Sequence, residues 1–373
     1  MNRLRNFDWI LQTAVVLLLV LSVAVIFGTT FEKSGGTTNA IQQAGFAIVG
    51  FGLVAVFGMT DYRVFRRVAG TLYLVTIVSL LAVKFIGTSA LGAQRWINLG
   101  FFQFQPSELA KIVMVIVLAK VFADNQKNLD SPRTFLISLA YTAVPVLLVA
   151  SQPDLGTAMV IAATWLGMAV AAGIPKRLFA YLFGAGVAFF PIAWLGIFQD
   201  YQKNRVLTFL DPTRDPLGAG YNVKQAQIAV GSGGMWGKAL GQGTQSQLNF
   251  LPVQHTDFIF AVLAEQLGFA GSLLVLLLLG TVIVRALTIA RKARDFFGYQ
   301  LGIGITTIVL FQTLINVGMN TGIAPVTGIP LPLVSYGGSS ILMLLFAIGI
   351  LQSIASRREA RVTMSARESL VVG

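Results

Sequence analysis

A carboxylate stands directly before a long apolar run in the segment Gln254-His255-Thr256-Asp257. The run begins at Phe258 and is long enough to cross a bilayer. An ionisable side chain is costly to hold beside hydrocarbon, so Asp257 is a candidate for function. It suits a general base at a membrane surface, whereas Thr256 or Asp257 also suits the cap of the following helix. His255 offers a second candidate base, or a hydrogen-bonded neighbour of such a cap.

Two opposite charges, Glu108 and Lys111, lie three residues apart after Gln105-Pro106-Ser107. Residues at this spacing share one face of a helix, where they can pair. An inward-facing pair is favoured, because opposite charges lower each other's cost near a membrane. The alternative is a lysine that reaches for the membrane surface beside a capping glutamate.

Three further candidates lie in short polar segments. Arg95, in the segment 94–96, carries a planar guanidinium that suits a pyrophosphate, and an interfacial arginine beside Trp96 explains the pattern equally well. Asp154, in the segment 152–157, is favoured as a turn or helix-cap residue over a catalytic one. Ser335 precedes paired glycines, which allow close approach of a neighbouring helix or of a ligand.

The composition is that of a membrane protein. Of the 373 residues, 55% are hydrophobic and 11% are charged, and the mean hydropathy is +0.75. Soluble domains carry about 25% charged residues, and they could not bury this much apolar surface. Because the chain has no cysteine and one histidine, any metal site would be built mainly from oxygen ligands.

We predict an all-α polytopic membrane protein of about ten transmembrane helices, formed by a single domain over residues 1–373. The predicted spans cover residues 9–28, 41–60, 70–87, 107–123, 134–150, 155–172, 178–197, 258–284, 299–320 and 334–355.

Basic residues indicate how these spans cross the membrane. Two thirds of the 27 Lys and Arg residues fall in one set of connections, and most of the others lie in or near one long loop. Cytoplasmic loops carry the excess of positive charge, so both termini are expected in the cytoplasm. The basic tail 357–373 is expected to be disordered. The net charge of +12 is then explained mostly by basic residues in the cytoplasmic connections, and nucleic acid is not an expected partner.

The long loop spans residues 198–256 and is expected on the outer face, between spans seven and eight. Loops of this length are usually functional. Consecutive turns are predicted at 211–218, a short helix at 221–230, and a second short helix near 235–240. The segment 231–238 resembles a phosphate-binding loop, but it lacks the required glycine spacing, and Ala239 stands where Ser or Thr is needed.

Taken together, five segments resemble the SEDS family (shape, elongation, division and sporulation), and within it the elongation-type members. They occur in order along the chain: Gln94-Arg95-Trp96, Gln105-Pro106-Ser107-Glu108, Gln152-Pro153-Asp154-Leu155-Gly156-Thr157, His255-Thr256-Asp257-Phe258-Ile259-Phe260-Ala261 and Ser335-Tyr336-Gly337-Gly338-Ser339. The chain departs from the family at Val253, where members often carry a glutamate.

The resemblance implies a peptidoglycan glycosyltransferase of the bacterial cytoplasmic membrane. It would polymerise lipid II into glycan strands and release undecaprenyl pyrophosphate, with a class B penicillin-binding protein as partner. The family's catalytic aspartate maps onto Asp257, and substrate-binding residues are expected at Arg95, Glu108, Lys111, Asp154, Lys224, Lys238, Gln245, His255 and Ser335. A divalent cation, Mg²⁺ or Mn²⁺, is a candidate cofactor. The alternatives are a lipid II flippase and a non-catalytic scaffold for the penicillin-binding protein.

Overall fold

The computed structural model describes residues 7–30, 37–90, 93–98, 100, 102–196, 198–215, 218–248, 250–251 and 253–357. Of the tail predicted to be disordered, only Arg357 lies among these residues, and residues 358–373 fall outside them.

Long helices coincide with the predicted spans. They are α1 (Trp9–Thr30), α2 (Thr37–Met59), α3 (Arg63–Ile86), α4 (Pro106–Asp124), α5 (Pro132–Ala150), α6 (Leu155–Ala172), α7 (Lys176–Gly196), α11 (Ile259–Arg291), α12 (Phe296–Thr321) and α13 (Gly338–Ser356). Within the described residues, 9 of these helices are long and apolar enough to cross a membrane. The exception is α4, which carries the charged residues Glu108 and Lys111. The predicted all-α polytopic fold is confirmed.

The helix ends follow local sequence signals. The Asp154 side chain caps α6 by accepting a hydrogen bond from the Thr157 amide at 3.2 Å. The same helix ends at Gly173, whose φ of 91° lies in the left-handed region that glycine adopts without strain. α4 begins with Pro106 in its first turn, where a missing amide proton costs nothing.

The core lies around α4 and α12. α4 is buried on nearly every face and packs against α3, α5, α6 and α12. By contrast, α7 buries only Ala193 among its described side chains and exposes large apolar residues such as Phe183 and Leu195. Such a surface is compatible with hydrocarbon rather than with water.

A small antiparallel sheet, which the sequence did not predict, lies between α3 and α4. Its strands are β1 (Thr88–Ala90), β2 (Ala93–Asn98) and β3 (Gln103–Phe104), in the order β1-β2-β3. The pairing places Ile97 opposite Phe104 and Trp96 opposite Thr88. Arg95 lies on the central strand, so its backbone has a defined position beside the helical bundle.

In its described part, the 198–256 loop contains three α-helices, α8 (Asp200–Leu210), α9 (Ala219–Ser232) and α10 (Thr244–Gln247), and a 3-10 turn at Pro212–Arg214. The predicted helix at 221–230 is confirmed by α9, and α8 was not predicted. The helix predicted near 235–240 is wrong, because this segment forms turns with positive φ at Gly237 and Ala239. Its amides bond to another element, from Lys238 to the Glu265 carbonyl at 3.0 Å and from Ala239 to the Gln266 carbonyl at 3.1 Å.

The partner of that segment is a break in α11. Gly268 has φ 67° and ψ −166°, which interrupts the helix near its start. The amides after the break, of Phe269 and Ala270, donate to the carbonyls of Gly234 and Met235 at 2.8 and 3.1 Å. The loop therefore satisfies the backbone groups that the break frees, as a membrane environment requires.

Candidate functional site

Asp257 lies in a turn immediately before α11, at the end of the bundle that carries the 198–256 loop. The N-cap of α11 is Phe258, and no side chain at that position caps the helix. The Ala261 amide instead donates to the Asn320 side-chain oxygen on α12 at 3.2 Å. The interpretation of Thr256 or Asp257 as the helix cap is therefore wrong, because a neighbouring helix supplies the acceptor. The Asp257 carboxylate is left available for chemistry.

Two guanidinium groups act on Asp257. Arg95 donates from Nε to the Gln152 carbonyl at 3.2 Å and from a terminal nitrogen to the Pro153 carbonyl. Its second terminal nitrogen lies 4.0 Å from an Asp154 carboxylate oxygen. Arg95 is thus held on the turn before α6, and its side chain is partly buried.

Arg205 on α8 is the second cation. It donates to the Thr327 carbonyl at 3.2 Å. Burial lowers the pKa of Arg205, and repulsion from Arg95 adds to this, whereas Tyr201, Asp257 and Asp154 act in the opposite direction. Because arginine remains protonated in proteins, Arg205 is a poorly solvated positive charge beside a carboxylate.

The environment of Asp257 favours the protonated carboxyl more than water does. Burial raises the pKa of Asp257, and repulsion from Asp154 raises it further. A hydrogen bond from Thr256 and the charges of Arg205 and Arg95 lower it but do not cancel the effect of burial. The side chain keeps some exposed surface, so a ligand can reach it. A base with a raised pKa is better matched to proton abstraction near neutral pH.

The segment 327–329, between α12 and α13, forms a wall beside Asp257. Gly328 has φ 72°, and a Cβ there would lie 3.4 Å from the Asp257 Oδ2 atom. A Cβ on Gly156 would come within 2.6 Å of the Thr327 carbonyl oxygen. The start of α6 therefore packs closely against Thr327, where a side chain on Gly156 would collide, whereas Gly328 is favoured by its positive φ and lies at ordinary contact distance from the carboxylate.

Asp154 connects the start of α6 to the start of α4. Its Oδ2 atom accepts hydrogen bonds from Ser107 at 3.1 Å and Gln105 at 3.2 Å. In the same helix, Lys111 Nζ lies 2.8 Å from Glu108 Oε1, and both side chains are buried. The predicted inward-facing pair is confirmed. Asp154 acts as the predicted helix cap and also accepts hydrogen bonds from two side chains at the start of α4.

Ser335 and Tyr336 donate hydrogen bonds to backbone carbonyls of the turn that contains His255 and Asp257. The Ser335 hydroxyl donates to the Thr256 carbonyl at 2.6 Å and accepts from the Leu331 amide at 2.8 Å. The Tyr336 amide donates to the His255 carbonyl at 2.8 Å. These bonds hold the turn against the start of α13. A direct contact of Ser335 or His255 with substrate stays a prediction.

Lys224 on α9 lines a cavity of about 610 Å³ that also receives Arg205. Hydroxyl and amide side chains contribute to its wall, among them Thr208, Tyr221 and Gln225, and none of the described residues that line it carries a carboxylate. The volume falls within the range of small-molecule sites. The arrangement suits an anionic or sugar-containing ligand, with Arg205 between this cavity and Asp257.

Lys238 and Gln245 lie instead around Glu265 of α11. The Glu265 carboxylate is fully buried, and it accepts from Lys238 Nζ at 3.1 Å, from the Gln245 amide at 2.9 Å and from the Ser246 amide at 3.1 Å. These contacts fasten the loop to α11. The roles of Lys238 and Gln245 in substrate binding stay predictions, and in the structure both serve the fold of the loop.

Within the described part of the chain, no three His, Asp or Glu side chains come together in a way that could hold a metal ion. The described side chains thus do not form a protein-only metal centre. Asp257 and Asp154, which repel each other electrostatically, would need further ligands from a substrate to hold a metal ion.

Sequence reasoning missed several residues of this site. Arg205 gives no signal beyond being one charge of the long loop, and the segment 328–333, which resembles the elongation-type members, indicates no contact with Asp257. Asn316 and Asn320 gave a signal that was not used: two amides four residues apart on one face of a membrane helix.

Known proteins resemble the chain over nearly its whole length. Residues 4–360 match the family of cell cycle proteins that comprises FtsW, RodA and SpoVE. The peptidoglycan glycosyltransferase MrdB of Escherichia coli strain K12 is 43% identical over 342 residues, which cover 92% of this chain and 91% of that protein.

Two solved structures share the fold. One, described as structural coordination of polymerization and crosslinking by a peptidoglycan synthase complex, has a TM-score of 0.82 and 29% identity, and covers 95% of this chain and 98% of that one. The crystal structure of Thermus thermophilus rod shape determining protein RodA has a TM-score of 0.70 and 26% identity, with the same coverage. The predicted family is confirmed: the chain belongs to the FtsW/RodA/SpoVE family, which is the SEDS family.

Proposed function

We propose that the protein is a peptidoglycan glycosyltransferase that polymerises lipid II and releases undecaprenyl pyrophosphate. The observation that carries the proposal is the Asp257 carboxylate, which does not cap α11 and on which the charges of Arg95 and Arg205 act. Relatives named for this activity support it.

In the reaction, Asp257 takes the proton of the acceptor sugar's 4-hydroxyl. The oxygen attacks the anomeric carbon of the lipid-linked donor from the side opposite the pyrophosphate. The new C–O bond forms as the bond to the pyrophosphate breaks, and the leaving group departs with the electron pair. The configuration at the anomeric carbon is inverted. A positioned base of this kind contributes about 10²- to 10⁴-fold to the rate.

Positive charge is needed where the pyrophosphate departs. Arg95 and Arg205 are close enough to act electrostatically on Asp257, and Lys224 shares its cavity with Arg205. The Lys111 ammonium is paired with Glu108 inside α4, so we assign this pair to shaping the site beside Asp154. Any Mg²⁺ or Mn²⁺ would take its ligands mainly from the phosphates and water, as is usual for Mg²⁺ at phosphate sites.

We place the protein in the bacterial cytoplasmic membrane, with both termini in the cytoplasm and Asp257 at the outer surface. The excess of basic residues at the end opposite Asp257 supports this orientation. A class B penicillin-binding protein is the proposed partner, and the likeness to a chain of a peptidoglycan synthase complex supports it.

The proposal is tested with purified protein, labelled lipid II and the variant Asp257→Asn. We expect wild-type protein to form glycan chains and Asp257→Asn to form none while it stays folded. Asp211→Asn is the matched control, because Asp211 is a half-exposed carboxylate in the same loop. Polymerisation by Asp257→Asn near the wild-type rate would contradict the assignment. Transport of lipid II across vesicle membranes without polymerisation would favour a flippase. A protein that shows neither transport nor polymerisation would instead be a scaffold.

A further inference from the structure

Two asparagines near the C-terminal end of α12 bond to the backbone of Asp257. The Asn316 side-chain amide donates to the Asp257 carbonyl at 3.0 Å, and the Asn320 amide donates to the same carbonyl at 3.1 Å. Both asparagines are fully buried. Two buried donors on one carbonyl fix the position of that peptide more firmly than a single hydrogen bond would.

Asn316 also reaches the wall of the site. Its amide donates to the Ile329 carbonyl at 2.8 Å, one residue beyond Gly328. Gly328 lies against the Asp257 carboxylate, and Thr327 provides the carbonyl that accepts the Arg205 hydrogen bond. One side chain therefore joins the backbone of the base to the segment that holds the cation.

Asn320 completes the arrangement at the start of α11. Its side-chain oxygen accepts from the Ala261 amide at 3.2 Å, and its amide also bonds to the Asn316 carbonyl at 2.8 Å. The first turn of a helix has amides without partners inside the helix, and here α12 supplies one acceptor. The asparagine pair thus sets where α11 begins, one residue after Phe258.

We propose that Asn316 and Asn320 are positioning residues that set the Asp257 carboxylate against Arg205 and the 327–329 segment. The inference rests on the proposed function, because these amides would position the base of that same reaction. Catalysis depends on geometry to within about 1 Å, and an error of that size costs about 10²-fold in rate. Neither asparagine needs to touch substrate.

The test replaces each asparagine with leucine, which keeps the branching and the number of side-chain heavy atoms and removes the hydrogen bonds. For Asn316→Leu and Asn320→Leu we expect kcat to fall about tenfold to hundredfold while KM changes by less than about threefold. The acid limb of the kcat profile should also shift in pH, because the carboxylate moves relative to Arg205. Thr313→Val is the matched control. It removes a buried hydroxyl of α12 whose hydrogen bond, among the described residues, goes to the Val309 carbonyl of its own helix, and its kcat and pH profile should be unchanged.

A second measurement does not depend on activity. Hydrogen exchange at the Ala261 amide should speed up in Asn320→Leu and stay slow in Thr313→Val. Failure of wild-type protein to polymerise lipid II, or polymerisation by Asp257→Asn, would overturn the proposed function. An inactive Asp257→Asn together with wild-type kcat and pH profile in both leucine variants would overturn the positioning inference alone.

Smaller replacements guard against variants that do not fold. If the leucine variants unfold, Asn316→Ser and Asn320→Ser are measured in the same assays, with the same split between kcat and KM expected. If all four asparagine variants unfold while Thr313→Val stays folded, the asparagines stabilise the helical bundle rather than position Asp257, and the inference is overturned.

Discussion

At the scale of single residues, the carboxylate of Asp257 does not cap the helix that it precedes. An aspartate before a helix usually accepts hydrogen bonds from the first-turn amides. Here Asn320 accepts the Ala261 amide, and the Asp257 carbonyl, not its carboxylate, is bound by α12. The side chain is thereby held by its backbone and remains reactive.

The pH dependence of the reaction should report the raised pKa of Asp257. As pH rises through this pKa the carboxylate ionises and the rate of polymerisation increases. Because burial raises the pKa above the ordinary value of 3.8, the acid limb should lie at higher pH than for a solvated aspartate. The measurement is kcat from acid to neutral pH, and a limb near the ordinary value would show that the carboxylate is well solvated.

The same raised pKa has a consequence for stability. Between the unfolded and the folded pKa the folded state binds more protons, so ionisation of Asp257 lowers the free energy of unfolding as pH rises through this window. The loss persists above the folded pKa. Asp257→Asn should therefore unfold at a temperature no lower than wild type at neutral pH. A clearly lower midpoint, with Asp211→Asn unchanged, would show that the charges of Arg95 and Arg205 outweigh the cost of burial.

Arg205 provides a second prediction at this scale. Arg205→Ala should lower kcat about 10²-fold, which is typical of removing one group that stabilises developing negative charge. Arg214→Ala is the control, because Arg214 lies in the same loop, is mostly exposed and pairs only with Asp211 among the described ionic contacts. Equal activity of both variants in the lipid II assay would exclude Arg205 from the site.

At the scale of elements, the break in α11 and the loop segment 233–246 form one unit. Glu265 accepts bonds from Lys238, Gln245 and Ser246, and the backbone on both sides of Gly268 pairs with residues 234–239. This unit explains why Lys238 and Gln245 face Glu265, and why a helix does not form near 235–240. It also anchors the loop that carries Arg205 and Lys224.

Two glycines two residues apart test that unit. A Cβ on Gly233 would overlap the Ala264 carbonyl oxygen, whereas a Cβ on Gly231 would meet nothing within 4 Å. Gly233→Ala should destabilise the protein by about 1–3 kcal/mol and expose the loop to protease. Gly231→Ala, at an exposed helical position, should be stabilising by about 0.5–1 kcal/mol. Thermal unfolding and limited proteolysis would measure both, and an equal response would argue against the close packing.

At the scale of the whole molecule, the two ends of the bundle differ. The end opposite Asp257 is closed by ion pairs, including Arg285 with Asp8 at 2.6 Å and Arg63 with Asp295 at 3.0 Å. Tyr62 donates to Asp295 at 2.8 Å, and burial with this neighbour raises the pKa of Tyr62 to about 12. The other end carries the loop, the small sheet and the cavity. The chemistry is thus confined to one surface.

Orientation in the membrane can be measured directly, because the chain has no cysteine. Gln242→Cys lies on the exposed loop near Glu265, and Lys127→Cys lies exposed at the opposite end. In intact spheroplasts, a membrane-impermeant maleimide should label Gln242→Cys at once and Lys127→Cys only after permeabilisation. The reverse pattern would place Asp257 in the cytoplasm, where it could not act on exported lipid II.

The fold class and the spans could be predicted from the sequence, because length and hydropathy decide which segments can lie in hydrocarbon. Asp257 and the Glu108–Lys111 pair could also be identified as candidates, since a charged residue beside an apolar run is costly and therefore stands out in the sequence.

The contacts of Arg205, Gly328 and the two asparagines with the surroundings of Asp257 are visible in the tertiary structure alone. These residues are 52 to 71 positions away along the chain, and polar groups of ordinary loops and helices give no local sign of which carbonyl or carboxylate they will meet. The same reason explains why the turns at 235–240 and the acceptor at the start of α11 could not be predicted. In both places the backbone groups bond to another element, and such pairing depends on packing rather than on sequence spacing.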